Sequence, residues 1–263
     1  MKSLGEHEIK SVLITGCNRG IGLGMLKHFV ANSNEATQLI SCSRKSSPEL
    51  EELGKRDNVH LLTMDITDKE SIVNAVAKAT EILGGKGLNL LVNNAAITSP
   101  EIFTKVVDTT PEELNHLYNI DVSCTHLVTT SFFPLLKASA STNSSLPMCA
   151  ARGLVCNFSS ITASIELAPP FGSVMVYSYA LAKCALNMMT KMSAHEFKQD
   201  GILCVAVHPG WVKSDMGAAA GEDFGTGDVT IDEAAQHMIE IMQGSTEEHT
   251  GMYMQKDLKK LPF

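Results

Sequence analysis

The sequence predicts an α/β fold, a single doubly wound domain with a mainly parallel seven-stranded sheet and helices on both faces. Short apolar, β-branched runs alternate with longer amphipathic stretches along nearly the whole chain, the pattern of parallel strands joined by crossover helices. The first of these runs leads straight into a glycine-rich turn and a helical pattern. The 263 residues, 44% hydrophobic and 19% charged, suit one α/β domain with a large core.

The elements follow in order. The run Ser11-Val12-Leu13-Ile14-Thr15 reads as the first strand, and further strands are expected at 38–41, 60–64, 89–92, 154–158, 203–207 and 252–254. Helical periodicity covers 20–32, 68–83, 111–137, 177–198 and 231–243. Thr67 or Asp68 opens the second helix, Thr110 with Pro111 and Glu113 the third, and Thr230 with Asp232 and Glu233 the last. The Ser-, Thr- and Asn-rich stretch 139–147 reads as a surface loop, and 217–227, with four glycines and three alanines, as a mobile segment. No repeat is visible.

Composition narrows the function. A formal net charge of -8, with acidic residues spread along the chain, gives no electrostatic reason for a nucleic-acid partner. Residues 1–10 are charged and carry no apolar stretch, so a secretory signal is not expected. No uncharged apolar run reaches the ~18 residues of a membrane span. The seven cysteines, at 17, 42, 124, 149, 156, 184 and 204, form no C-x-x-C pair and read as reduced, mostly buried thiols of a cytoplasmic protein. His195-Glu196 lacks the second histidine of a zinc-protease motif, and no metal site is expected.

After the first strand comes Gly16-Cys17-Asn18-Arg19-Gly20-Ile21-Gly22. Its glycines allow a sharp turn and close approach of backbone to a pyrophosphate, Gly22 allows close helix packing, and the free N–H groups of the helix start form an anion site. The spacing is G-x-x-x-G-x-G rather than G-x-G-x-x-G, so the Rossmann-type mechanism carries over while the spacing differs. No Gly-Lys-Ser/Thr follows, which argues against a nucleotide triphosphatase. The second strand ends in Ser43-Arg44-Lys45, without the acidic residue that would hold a ribose 2′-hydroxyl. A guanidinium at Arg44, helped by Arg19, suits a 2′-phosphate and hence NADPH over NADH; the alternative is a solvated turn.

Tyr179 and Lys183 stand four residues apart in a helical pattern and so share a face. The ammonium favours the phenolate and is expected to move the phenol towards useful acid–base range. Such a pair is uninformative by itself. Together with the glycine turn, Asp65, Asn93-Asn94-Ala95-Ala96, Asn157-Phe158-Ser159-Ser160 and His208-Pro209-Gly210-Trp211-Val212, it resembles the short-chain dehydrogenase/reductase family from Val12 to about Tyr253. Within that family the chain looks most similar to the sniffer-type carbonyl reductases, through residues 208–217, the context of Tyr179 and the ending Leu261-Pro262-Phe263.

The resemblance implies that hydride passes from NADP(H) to a small-molecule carbonyl carbon while Tyr179 gives a proton to its oxygen and Ser160 donates a hydrogen bond to it. Lys183 would also hold the nicotinamide ribose. Gly16, Asn18, Arg19, Gly20, Ile21, Gly22, Arg44, Asp65, Ile66, Asn93, Ala95, Pro209, Gly210, Val212 and Ser214 complete the implied cofactor site. Two positions depart from the family pattern: Ala96 replaces the usual glycine, and Asp121 the usual catalytic asparagine. An aspartate there would add negative charge near Lys183 and hold the ammonium charged. Trp211, Phe171, Met216 and Ile97 could supply an apolar wall for lipophilic aldehydes, ketones or quinones, or be packing residues. A homodimer or homotetramer is expected mainly from family habit. The rival readings are an NAD-dependent alcohol dehydrogenase and a catalytically weak NADP-binding regulatory protein.

Overall fold

A computed structural model of the chain describes residues 7–98, 105–168, 176–218 and 228–263. Strand β1 (Ser11–Thr15) is buried at every position, and its side chains alternate between two cores because successive residues of a strand point to opposite faces. Val12 and Ile14 pack with Met25 and Leu26 of α1 (Gly20–Asn32) and with Met238 and Met242 of α8 (Ile231–Gly244). Leu13 packs on the other face with Ile72 of α3 (Lys69–Leu83) and with Phe132 and Leu136 of α5 (Thr125–Thr142). Each fully buried Leu or Ile contributes roughly 1.5 to 3 kcal/mol relative to exposure, which is why a sheet covered on both faces needs such continuous apolar runs.

The remaining strands are β2 (Gln38–Ser43), β3 (Val59–Thr63), β4 (Leu90–Asn93), β5 (Leu154–Phe158), β6 (Leu203–Val207), β7 (Tyr253–Gln255) and β8 (Lys259–Lys260). The sheet order is β3-β2-β1-β4-β5-β6-β7-β8, all parallel except the last pair. This is one Rossmann-like α/β domain, with eight strands where the sequence predicts seven. The added strand is two exposed lysines, which carry no hydrophobic signal and blunt the sheet edge.

Other departures are local. Helix α2 (Pro48–Leu53), capped by Ser47, is too short for periodicity to reveal. The pattern over 111–137 is α4 (Pro111–Tyr118), a π-helical turn (Asn119–Cys124) and α5, which continues to Thr142. The expected loop at 139–147 therefore begins inside a helix. Ser139 is fully buried, its hydroxyl donating to the Arg152 carbonyl and accepting from the Asn89 amide. Asp68, Thr110 and Thr230 do cap their helices, Thr230 in a reciprocal box with Glu233. Helix α6 (Tyr177–Phe197) and the short α7 (Asp215–Ala218) complete the elements. No helix of the described residues is long and apolar enough to cross a membrane. All seven cysteines are free thiols, and burial pushes those of Cys17 and Cys204 up to about 12.

Candidate active site

In this strand order the chain leaves β1 and β4 towards opposite sides, which opens a crevice at the carboxyl ends of the strands. A cleft of about 790 Å³ lies there, lined by the segments that follow β1 to β6. At its β1 side Gly16 has φ +76. A Cβ on Gly22 would fall 2.4 Å from the Gly16 carbonyl oxygen and 2.6 Å from the Asn94 amide nitrogen. Only glycine lets the α1 N-terminus close on this turn. Asn94 holds the turn from the other side, its side-chain amide donating to the Thr15 carbonyl at 2.8 Å. The first turn of α1 carries no acidic residue, so its N–H groups and positive dipole end are open to an anion.

Along the β2 and β3 ends, exposed Arg44 lines the cleft beside Asp65 and Ile66. Asp65 accepts from the Thr67 N–H and hydroxyl at 2.9 and 2.7 Å; the Thr67 backbone bond most strongly lowers its pKa, and Arg44 lowers it further. Arg19 also lines the cleft, with its guanidinium paired across the opening to Asp215.

At the inner side stand Tyr179 and Lys183 on α6. Lys183 is 2% exposed, and its ammonium is fixed by the Phe158 carbonyl at 3.0 Å and by Asp121 Oδ2 at 3.1 Å. Asp121, 1% exposed in the π-helical turn, uses Oδ1 to accept the Ile97 N–H at 3.0 Å. Burial alone would pull the Lys183 pKa down, but Asp121 and then Tyr179 outweigh it and the net shift is upward. The Tyr179 phenol is also raised. Burial is the largest influence and Asp121 adds to it, against the opposing Lys183 ammonium and a hydrogen bond with Ser160. The lowered phenol expected from Lys183 alone is thus corrected by burial and the second charge.

Ser160 caps a 3-10 turn, Ile161–Ala163, and its hydroxyl meets the Thr162 N–H at 3.3 Å and the Thr162 hydroxyl at 2.9 Å. With those contacts on its lone pairs, its own proton is left for the Tyr179 oxygen, its hydrogen-bond partner on α6. Beneath the site a buried ladder ties both helices to the sheet: Asn93 to Thr129 and Asn157, Asn157 to Thr190, and Ser159 to Asn187, at 2.7 to 2.9 Å.

Most of the predicted residues line the cleft, among them Gly16, Asn18, Arg19, Gly20, Ile21, Arg44, Asp65 and Ile66. Ala95, Ile97, Pro209, Ser214 and Met216 do so as well. Others do not. The side chain of Asn93 is spent in the ladder, Gly22 packs behind the turn, and Gly210 faces a smaller pocket with His208. Val212 is buried against Val229, and Trp211 lies outside the cleft lining. Phe171 and most of the segment 217–227 fall outside the described residues. Burial drops the His208 imidazole to about 4, so it is neutral near pH 7. Sequence reasoning missed Thr162, the Phe158 carbonyl and Asn94. Only Asn94 had a signal, as the second amide of a pair after β4.

Fold and cleft together define a Rossmann-like α/β domain with a cleft at the switch point of its sheet. The family profile of short chain dehydrogenase matches residues 10–224, and the chain belongs to that family. The short-chain dehydrogenase/reductase AacuF of Aspergillus aculeatus is 32% identical, over 93% of this chain and 96% of its own. Among solved structures, the NADPH-bound carbonyl reductase from chicken fatty liver superposes with a TM-score of 0.87 at 31% identity, covering 98% of this chain and 100% of that one. The carbonyl reductase Sniffer of D. melanogaster gives 0.88 at 29% identity, covering 97% and 100%.

Proposed function

We propose that this protein is a cytoplasmic NADPH-dependent carbonyl reductase acting on lipophilic aldehydes, ketones or quinones. The observation that carries the reading is the cluster of Tyr179, Lys183 and Asp121 at the inner side of a cleft that also reaches Arg44. The ends of β2 and β5 are three strand spacings apart, about 14 Å, so a ligand touching both sides must be extended, as a dinucleotide is. The glycine turn that a Cβ would fill, the acid-free start of α1 and the guanidinium of Arg44 suit a pyrophosphate and a 2′-phosphate. Similarity to an NADPH-bound carbonyl reductase supports the same cofactor and substrate class.

A reduced nicotinamide held by the glycine turn, Arg44 and Lys183 would supply the hydride. Tyr179, held protonated by burial and by Asp121, gives its proton to the carbonyl oxygen as charge develops there. The hydroxyl of Ser160, held by Thr162 beside Tyr179, donates to the same oxygen as a fixed dipole, which needs little reorganisation during the step. Lys183, fixed by Asp121 and the Phe158 carbonyl, keeps a positive charge 5.5 Å from the Tyr179 ring centre, where it steadies the phenolate left behind. Ile97 and Met216 offer apolar surface at the cleft.

An NADPH-oxidation screen over aldehydes, ketones and quinones tests the reading. Tyr179→Phe should lower turnover by roughly 10² to 10⁴-fold while NADPH affinity stays within about twofold. Full activity in that variant, or binding without turnover across the panel in the wild type, overturns it.

We also propose that the whole chain works as one catalytic domain in a homodimer or homotetramer. Leu181, Met188 and Met192, three to four residues apart or multiples of that on α6, leave an exposed apolar stripe for a second copy. Sedimentation equilibrium at micromolar concentration should show a dimer or tetramer, and a monomer refutes the assembly.

A further inference from the structure

We propose that Tyr253 is a positioning residue for Ser160, a brace from the last parallel strand that holds the serine hydroxyl towards the reacting carbonyl oxygen. Its ring is fully buried in β7 and clusters with Ala206 and Leu261. Its hydroxyl donates to the Ser160 carbonyl across 93 residues of sequence. That carbonyl also accepts the Ala163 N–H at 2.9 Å, so both of its lone pairs are used and the peptide plane after Ser160 is pinned from two directions. The Ser160 hydroxyl acts from the same residue, so a rotated peptide plane would turn it away from Tyr179 and relax its contacts with Thr162.

The brace is itself held. The Leu261 N–H donates to the Tyr253 carbonyl at 2.8 Å, and the Phe263 ring lies 6.0 Å from the Tyr253 ring. The Phe263 carbonyl accepts the Glu166 N–H at 3.1 Å. The segment that starts at Ser160 is thus tied at its first residue by Tyr253 and six residues later by Phe263. Burial, and then the nearby Tyr179, push the Tyr253 phenol above its ordinary range, so it stays protonated and a donor near neutral pH. Lys191 stands 5.7 Å from the Phe263 ring centre and covers the outer side.

The inference deepens the carbonyl-reductase reading and rests on it for its kinetic arm alone. Tyr253→Phe removes one oxygen and keeps the ring, and two measurements on the full chain follow. Deuterium exchange of the amides of residues 160–167 should accelerate on the order of tenfold. Turnover should fall by about tenfold, the rate equivalent of one hydrogen bond, with NADPH affinity unchanged within twofold. Met242→Ala, a core truncation on α8, controls for stability: turnover should fall less than twofold at a comparable loss of melting temperature. Unchanged exchange in 160–167 overturns the brace. So does turnover that falls no further than in the control. If the wild type reduces no carbonyl, the functional reading fails and the exchange result decides the brace alone.

Discussion

Asp121 is 1% exposed, yet its carboxylate is paired with Lys183 at 3.1 Å and bonded to the Ile97 N–H at 3.0 Å. Its charge raises both neighbours, Lys183 and Tyr179. In Asp121→Asn that contribution is lost, the phenol titrates lower, and the alkaline limb of kcat/KM, where protonated Tyr179 disappears, moves to lower pH. Stability responds with a definite sign. Lys183 is raised in the folded state, so its stabilisation is complete below the ordinary lysine pKa of ~10.4 and fades as pH rises through the folded value. At pH 7 the variant should lose on the order of 3 kcal/mol in urea unfolding, because a buried ammonium is left without its counter-charge. An unmoved alkaline limb would refute the coupling, and turnover raised by orders of magnitude would mark the natural enzyme as impaired. The departure at 121 was legible in the sequence, as was the charge it brings to Lys183. The upward shift of Tyr179 was not, since it depends on burial that no spacing of residues reveals.

Among the elements, the turn between β1 and α1 depends most on one missing side chain. Gly22→Ala places a methyl 2.4 Å from the Gly16 oxygen, which must move and take the phosphate-facing backbone with it. The expected cost is about 3 kcal/mol, the upper range for overpacking, with NADPH affinity down at least tenfold by fluorescence titration. Wild-type affinity in a folded variant would show that the turn does not hold the cofactor. This turn was readable because glycine spacing and strand-to-helix position are local. The caps at Thr110 and Thr230 were readable for the same reason. The π-helical turn was not: one extra residue per turn hardly disturbs an apolar stripe, so 111–137 reads as one helix. The Ser- and Asn-rich end of α5 misled because Ser139 is satisfied by Arg152 and Asn89, partners that only the tertiary fold brings near. Tyr253 gave no sign of its role for the same reason, its target lying 93 residues away.

At the scale of the molecule, the cleft is walled by segments following six strands, so a ligand filling it contacts the sheet from β3 to β6 and is lost when the domain unfolds. Binding to the folded state alone stabilises by about 2.7 kcal/mol at a hundredfold excess over Kd, which for a domain of this size raises the melting temperature by roughly 5 to 10 °C. NADPH and NADH differ by the 2′-phosphate, and on the proposed reading the group that meets it is the exposed guanidinium of Arg44, which lines the cleft at the end of β2. Arg44 lies far from Tyr179, so removing it leaves the inner site intact and changes only what the outer side recognises. At equal cofactor concentration NADPH should therefore raise the melting temperature well above NADH in the wild type. In Arg44→Ala the two shifts should converge, the NADPH shift falling to that of NADH while the ligand-free melting temperature stays within about 1 °C, as expected for an exposed side chain. Equal shifts in the wild type would show that the 2′-phosphate is not recognised, and a larger shift with NADH would favour the NAD-dependent reading. A parallel loss of both shifts in Arg44→Ala would mean that the guanidinium serves the turn rather than the phosphate.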